Sequence, residues 1–133
     1  MEKSLVRKLI SLAAVVYPLL IATGSLSRPP RVLSASLFSD KIAHALAYFV
    51  LTLVWFFLLD GVRFRESKQT QNLTRVAVFA FLYGTLLEAL QWKLTSYRTA
   101  DHWDLLANGV GIGLALLLLS LTRKIWGSLK MKF

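Results

Sequence analysis

Asp40, His44 and Tyr48 follow one another at four-residue spacing, so on a helix they form a single stripe of carboxylate, imidazole and phenol. Lys41 stands beside the first of them. Further along, Glu88 and Gln91 fall on one helical face, Arg98 follows in a polar stretch, and Asp104 and Asn108 are one turn apart. These side chains supply an acid, a base and a cation. One chemistry open to them is proton transfer, with His44 or Glu88 as general base and Arg98 steadying developing negative charge. Another is recognition of an anionic group by the Arg98 guanidinium, assisted by Lys41, with His44, Glu88, Asp104 and Asn108 completing a polar lining. His44 with Asp40 or Glu88 offers nitrogen and oxygen donors to a metal. Neither a close HxxxH nor an HExxH spacing accompanies them, so no metal and no cofactor is expected. Cysteine is absent, which removes disulfides, thiolate catalysis and Cys-ligated metal.

Each residue also has a plainer role. Asp101 fits the cap of a helix beginning beside it, with Asp104 at the positive end of the dipole; Ser39 and Asp40 fit the same roles one helix earlier. His44, Glu88, Gln91 and Asn108 suit interhelical hydrogen bonding, worth only about 0.6 kcal/mol per bond inside a membrane. His102, next to Trp103, reads as a surface residue, and Trp92, Tyr97 and Trp103 as an interfacial aromatic belt. What favours a site is that the polar groups collect at one end of the elements that carry them.

Those elements are set by composition. The chain has 133 residues, 56% of them apolar, and a mean hydropathy of +0.56, too hydrophobic for an ordinary soluble domain of this size. Four apolar stretches near 9–26, 42–59, 76–92 and 105–121 approach the roughly twenty residues needed to cross a bilayer. Hydrocarbon offers the backbone no hydrogen-bond partner, so each run is expected to be helical despite its Val and Phe content. Pro18 interrupts the first run; a proline there is tolerated if a neighbour satisfies the carbonyl it frees. Lys3, Arg7 and Lys8 ahead of that run, with Ala22, Thr23 and Gly24 at its end, resemble a signal peptide. The apolar character continues through Leu26, which favours a retained anchor.

The formal charge is +9, but the cations lie between apolar runs rather than on one face, which argues against nucleic acid and for oriented membrane loops. Lys3, Arg7 and Lys8 precede the first span. Arg63, Arg65, Lys68 and Arg75 separate the second from the third, and Arg123, Lys124, Lys130 and Lys132 follow the fourth. Arg28, Arg31, Lys41, Lys93 and Arg98 fall on the other side, so both termini are expected in the cytoplasm. The polar cluster then faces outward. The basic tail, with Trp126, reads as a short segment on the anionic inner leaflet. Inward of His44 and Glu88 lie mainly Leu, Val, Phe and Ala, which opposes a proton or ion pathway. Ala107, Gly111 and Ala115 form a ridge of small residues suited to close helix contact, and Gly84 is suited likewise.

Taken in series, Asp40-Lys41 with His44 and Tyr48, Gly84 with Glu88 and Gln91, and Arg98 followed by Asp104, Asn108 and Gly111 resemble the VanZ-like membrane protein family. The DKxxHxxxY, ExxQ and RxxxxxDxxxNxxG patterns cover roughly residues 38 to 115. The resemblance implies an all-α polytopic domain of the bacterial cell envelope, with some relatives linked to low-level resistance to teicoplanin-type glycopeptides. It supplies no roles for the motif residues. The combined expectation is a single-domain four-helix bundle in the inner (cytoplasmic) membrane, both termini inside. Its outward pocket of Asp40, Lys41, His44, Tyr48, Glu88, Gln91, Arg98, Asp104 and Asn108 would engage a lipid headgroup, a cell-wall precursor or an amphiphilic antibiotic. An integral-membrane enzyme acting on a lipid-linked substrate is the alternative.

Overall fold

In a computed structural model the chain forms four helices: α1 (Glu2–Leu26), α2 (Leu37–Asp60), α3 (Gln69–Leu94) and α4 (His102–Lys132). The structure describes the backbone of residues 2–26, 37–60, 69–94 and 102–132, and the side chains of 4–26, 41–59, 71–94 and 102–122. All four helices are long and apolar enough to cross a membrane. Each runs past the apolar core of its segment, because a helix continues wherever its backbone can pair internally, whether or not its side chains are apolar. Arg75 therefore sits on α3 rather than in the preceding loop, and Ser39 falls inside the first turn of α2 rather than at its cap. Residues 123–132 continue α4 without a break, so the basic tail is an extension of the last helix rather than a separate segment.

The distribution of side chains is inverted relative to a water-soluble bundle. Leu12, Val15 and Leu19 on α1, Phe79, Leu82 and Leu86 on α3, and Leu106, Val110, Leu114 and Leu117 on α4 all face outward, while Asn72, Glu88, Gln91, Asp104 and Asn108 are buried. An apolar exterior with polar side chains drawn inside is the arrangement that hydrocarbon solvent favours, since an ionisable group facing lipid is costly. This pattern points to a multi-pass membrane protein.

Helix α2 is central, packing on α1, α3 and most extensively on α4; α1 meets α2 and α3. Two apolar layers fill the interior: Tyr48, Leu51, Ala80 and Ile112, then Phe56, Val76 and Leu119. The small-residue ridge works as expected. Ala107, Gly111 and Ala115 are buried, and a Cβ on Gly111 would collide with the backbone of Ala45, so glycine is what lets α4 approach α2 so closely.

Pro18 lies within an unbroken α1. A proline at position 18 removes the amide that would bond the carbonyl of residue 14. The Trp55 indole N–H supplies the replacement, donating to the Ala14 carbonyl at 3.1 Å. Around the same turn the Tyr17 hydroxyl donates to the Ala47 carbonyl at 3.0 Å, and the Tyr83 hydroxyl to the Pro18 carbonyl. These bonds attach α1 to α2 and α3, where hydrophobic attraction between helices gives little help in lipid.

Candidate functional site

The polar cluster is assembled from helix periodicity. Lys41, His44 and Tyr48 share a face at the start of α2, Asp104 and Asn108 are one turn apart at the start of α4, and Glu88 and Gln91 lie near the end of α3. Because α2 and α4 begin, and α3 finishes, at the same end of the bundle, the three faces meet. The Lys41 ammonium forms an ion pair with Asp104 Oδ1. His44 Nδ1 lies 3.1 Å from Asn108 Oδ1; an amide oxygen only accepts, so Nδ1 carries the proton. The other ring nitrogen, Nε2, stands 3.8 Å from Asp104 Oδ2. One ligand-type atom from each of His44, Glu88 and Asp104 lies within 4.8 Å of the other two.

Burial makes this grouping consequential. Glu88 is 5% exposed and Asp104 6%, so two carboxylates share a small volume largely removed from water. Like charges this close demand a cation or a proton, and Lys41 meets part of that demand at Asp104. Asp104 also lies in the first turn of α4, where the helix dipole favours negative charge. The dipole role and the ion-pair role thus coincide in one side chain.

Gly84 frames the floor. A Cβ there would lie 2.9 Å from Asn108 Nδ2 and 3.0 Å from the Tyr48 ring, so glycine leaves the space in which the amide and the phenol sit. Tyr48 itself is fully buried within the first apolar layer. It is a packing residue beneath the cluster rather than part of an open lining. Gln91 likewise turns away: its amide Nε2 donates to the Ser25 carbonyl at 2.7 Å, satisfying an acceptor in the last turn of α1 that has no intrahelical partner. Lys41, expected to stand ready for an anion, is engaged by Asp104.

Of the residues singled out in sequence, the structure therefore brings Lys41, His44, Glu88, Asp104 and Asn108 together, and places Tyr48 and Gln91 in supporting positions. The Asp40 side chain, Arg98, Asp101 and Tyr97 lie outside the described residues. His102, Trp92 and Trp103 are exposed at the same end of the bundle, as a surface histidine and belt tryptophans should be. Sequence reasoning missed Trp55, Tyr17 and Tyr83. Only Pro18 gave a signal, since a freed carbonyl requires some donor on a neighbouring helix.

The chain is 39% identical over 80 residues to the uncharacterized protein C11E3.10 of Schizosaccharomyces pombe, an alignment covering 60% of this chain and 46% of that protein. The chain thus spans less than half the length of the curated relative it matches. No family model matches the sequence, and no solved structure matches it.

Proposed function

We propose that this chain is a multi-pass membrane protein of VanZ-like type whose pocket at the joined ends of α2, α3 and α4 binds the polar headgroup of a membrane lipid. The observation that supports the reading is the convergence of Lys41, His44, Glu88, Asp104 and Asn108 inside a bundle whose exterior is apolar. Interhelical hydrogen bonding alone would not require several ionisable groups within a few ångströms of one another, because each carries a desolvation cost that a neutral amide avoids. The positive-inside distribution puts both termini in the cytoplasm and this pocket at the opposite face.

Among the ligands compatible with such a pocket, a headgroup fits best. A similar sequence in a fungus weighs against a role confined to bacterial walls or to glycopeptide resistance. The apolar flanks of α3 and α4 would hold acyl chains beside the pocket, and Arg98, in the connection to α4, is the cation this reading assigns to the headgroup's anionic group. The apolar layer of Phe56, Val76 and Leu119 beneath the pocket opposes a continuous ion pathway.

The test is lipid retention. The protein is extracted in polymer discs with its native lipids, which are then quantified by mass spectrometry, wild type beside a Glu88→Gln, Arg98→Ala double variant. Enrichment of one headgroup class over the bulk membrane, abolished in the variant, supports the reading. Bulk composition in both samples with equal folded abundance refutes it.

An enzymatic reading is favoured by one observation, the imidazole held by Asn108 on one side and facing a carboxylate on the other, which is how a general base is oriented. Turnover of labelled membrane lipids by purified protein, lost in His44→Ala, would promote it.

A further inference from the structure

We infer that His44, Glu88 and Asp104 form a binding site for one divalent transition ion of borderline softness, such as zinc, and that Lys41 is its exchangeable substitute in the ion-free state. The inference rests on the same pocket as the headgroup reading and adds a resident ion to it. One nitrogen and two oxygen donors from three helices lie within 4.8 Å of one another, and both carboxylates are buried. Tetrahedral ligands at zinc distances are about 3.3 Å apart. The gap from 4.8 Å closes by side-chain rotation of less than about 1 Å at each partner, without displacing a helix.

Two features separate this cluster from a chance group of acids. The first is the setting of His44. Its Nδ1 is 3.1 Å from Asn108 Oδ1, and its Nε2 stands on the side of Asp104. A ligating histidine is characteristically oriented this way, with its remote N–H donated to a carbonyl or carboxylate. The second is charge. Two carboxylates bring two negative charges into a small buried volume, and the Lys41 ammonium pairs with the one on Asp104. A divalent ion neutralises both, and the longer lysine side chain, which is partly exposed, swings outward still protonated. Three protein ligands leave coordination positions open. An anionic headgroup oxygen suits such an open position as the next ligand. The imidazole in the set disfavours magnesium and calcium, which prefer all-oxygen cages.

The experiment uses the full chain in lipid nanodiscs, stripped with a chelator and titrated with zinc against a chromophoric competitor, with bound metal counted by mass spectrometry. Wild type is expected to hold one zinc per chain, undisplaced by millimolar magnesium, and cobalt in its place is expected to give visible d–d absorption. Lys41→Met, which removes the competing ammonium, should bind several-fold tighter. Asn108→Ala should weaken zinc about 10–100-fold, as loss of an outer-shell partner does, and His44→Ala or Asp104→Asn by more. Thermal unfolding with and without zinc accompanies each variant. If a ligand variant does not fold, the comparison of wild type with Lys41→Met decides alone. A wild-type count at background, ligand variants that bind as wild type does, or a Lys41→Met protein that binds more weakly would overturn the inference. Lipid analysis of the same samples separates the two readings. Bound zinc with bulk lipid composition removes the headgroup and keeps the ion; enriched lipid without zinc does the reverse.

Discussion

His44 Nδ1 and Asn108 Oδ1 meet at 3.1 Å across the closest pair of helices in the bundle. Their contact orients the imidazole. Replacing Asn108 with leucine takes the acceptor from a part-buried imidazole, a loss of about 1–3 kcal/mol. Denaturant titration in detergent micelles should read a shift of that size, and His44→Leu in the same background should recover part of it. Equal and additive losses from the two single changes would mean that the pair is not coupled.

Gly111 is where α4 touches the backbone of α2 at Ala45. Gly111→Ala should destabilise the bundle by about 1–3 kcal/mol through overpacking. Gly109 and Gly113 on the same helix have nothing within 4 Å of a built Cβ, so alanine at either should be neutral or raise stability by up to about 1 kcal/mol through helix propensity. Matched thermal melts of the three variants provide the comparison, and identical midpoints would remove the close α2–α4 crossing.

Trp55 stands in for the amide that Pro18 lacks. Trp55→Phe keeps most of the ring but strands the Ala14 carbonyl, at a cost of about 1–3 kcal/mol. Pro18→Ala restores the intrahelical donor and should rescue much of that loss. A double-mutant cycle measures the coupling, and a Pro18→Ala change that rescues nothing would assign the tryptophan a packing role only.

Gln91 closes the end of α1 through the Ser25 carbonyl. In Gln91→Leu the last turn of α1 should come loose from α3 while the rest of the bundle stays folded. Hydrogen exchange at the amides of residues 23–26, read by mass spectrometry, should rise in the variant. Unchanged exchange there would show that apolar packing alone holds that end.

The sequence made the helices legible because length and hydropathy suffice to define an apolar span, and it made the site's members legible because i, i+4 spacing puts Lys41 near His44 and Asp104 near Asn108 on single faces. What it could not reveal was pairing between helices. Whether Asp104 meets Lys41 or Arg98, and whether Gln91 faces the pocket or α1, depends on helix rotation and vertical register, which no local pattern encodes. The metal-like grouping was only partly legible for the same reason: His44 with Glu88 could be named as donors, but adding Asp104 brings in a third helix, and a search for close histidine spacing looks along only one. Tyr48 and Gln91 share a face with members of the cluster, yet one turn of depth is enough to move a side chain from the cluster to the core.

The convergence of these side chains is tested most directly by cysteine pairs at positions 44 and 108, and at 44 and 88, treated in native membranes with a short bifunctional thiol reagent. Cross-linking of both pairs, with none for a pair at Leu58 and Leu106, is the expected result. Failure of both, together with a cysteine at 44 that reacts only with a lipid-soluble probe, would show these residues facing lipid and contradict a shared site.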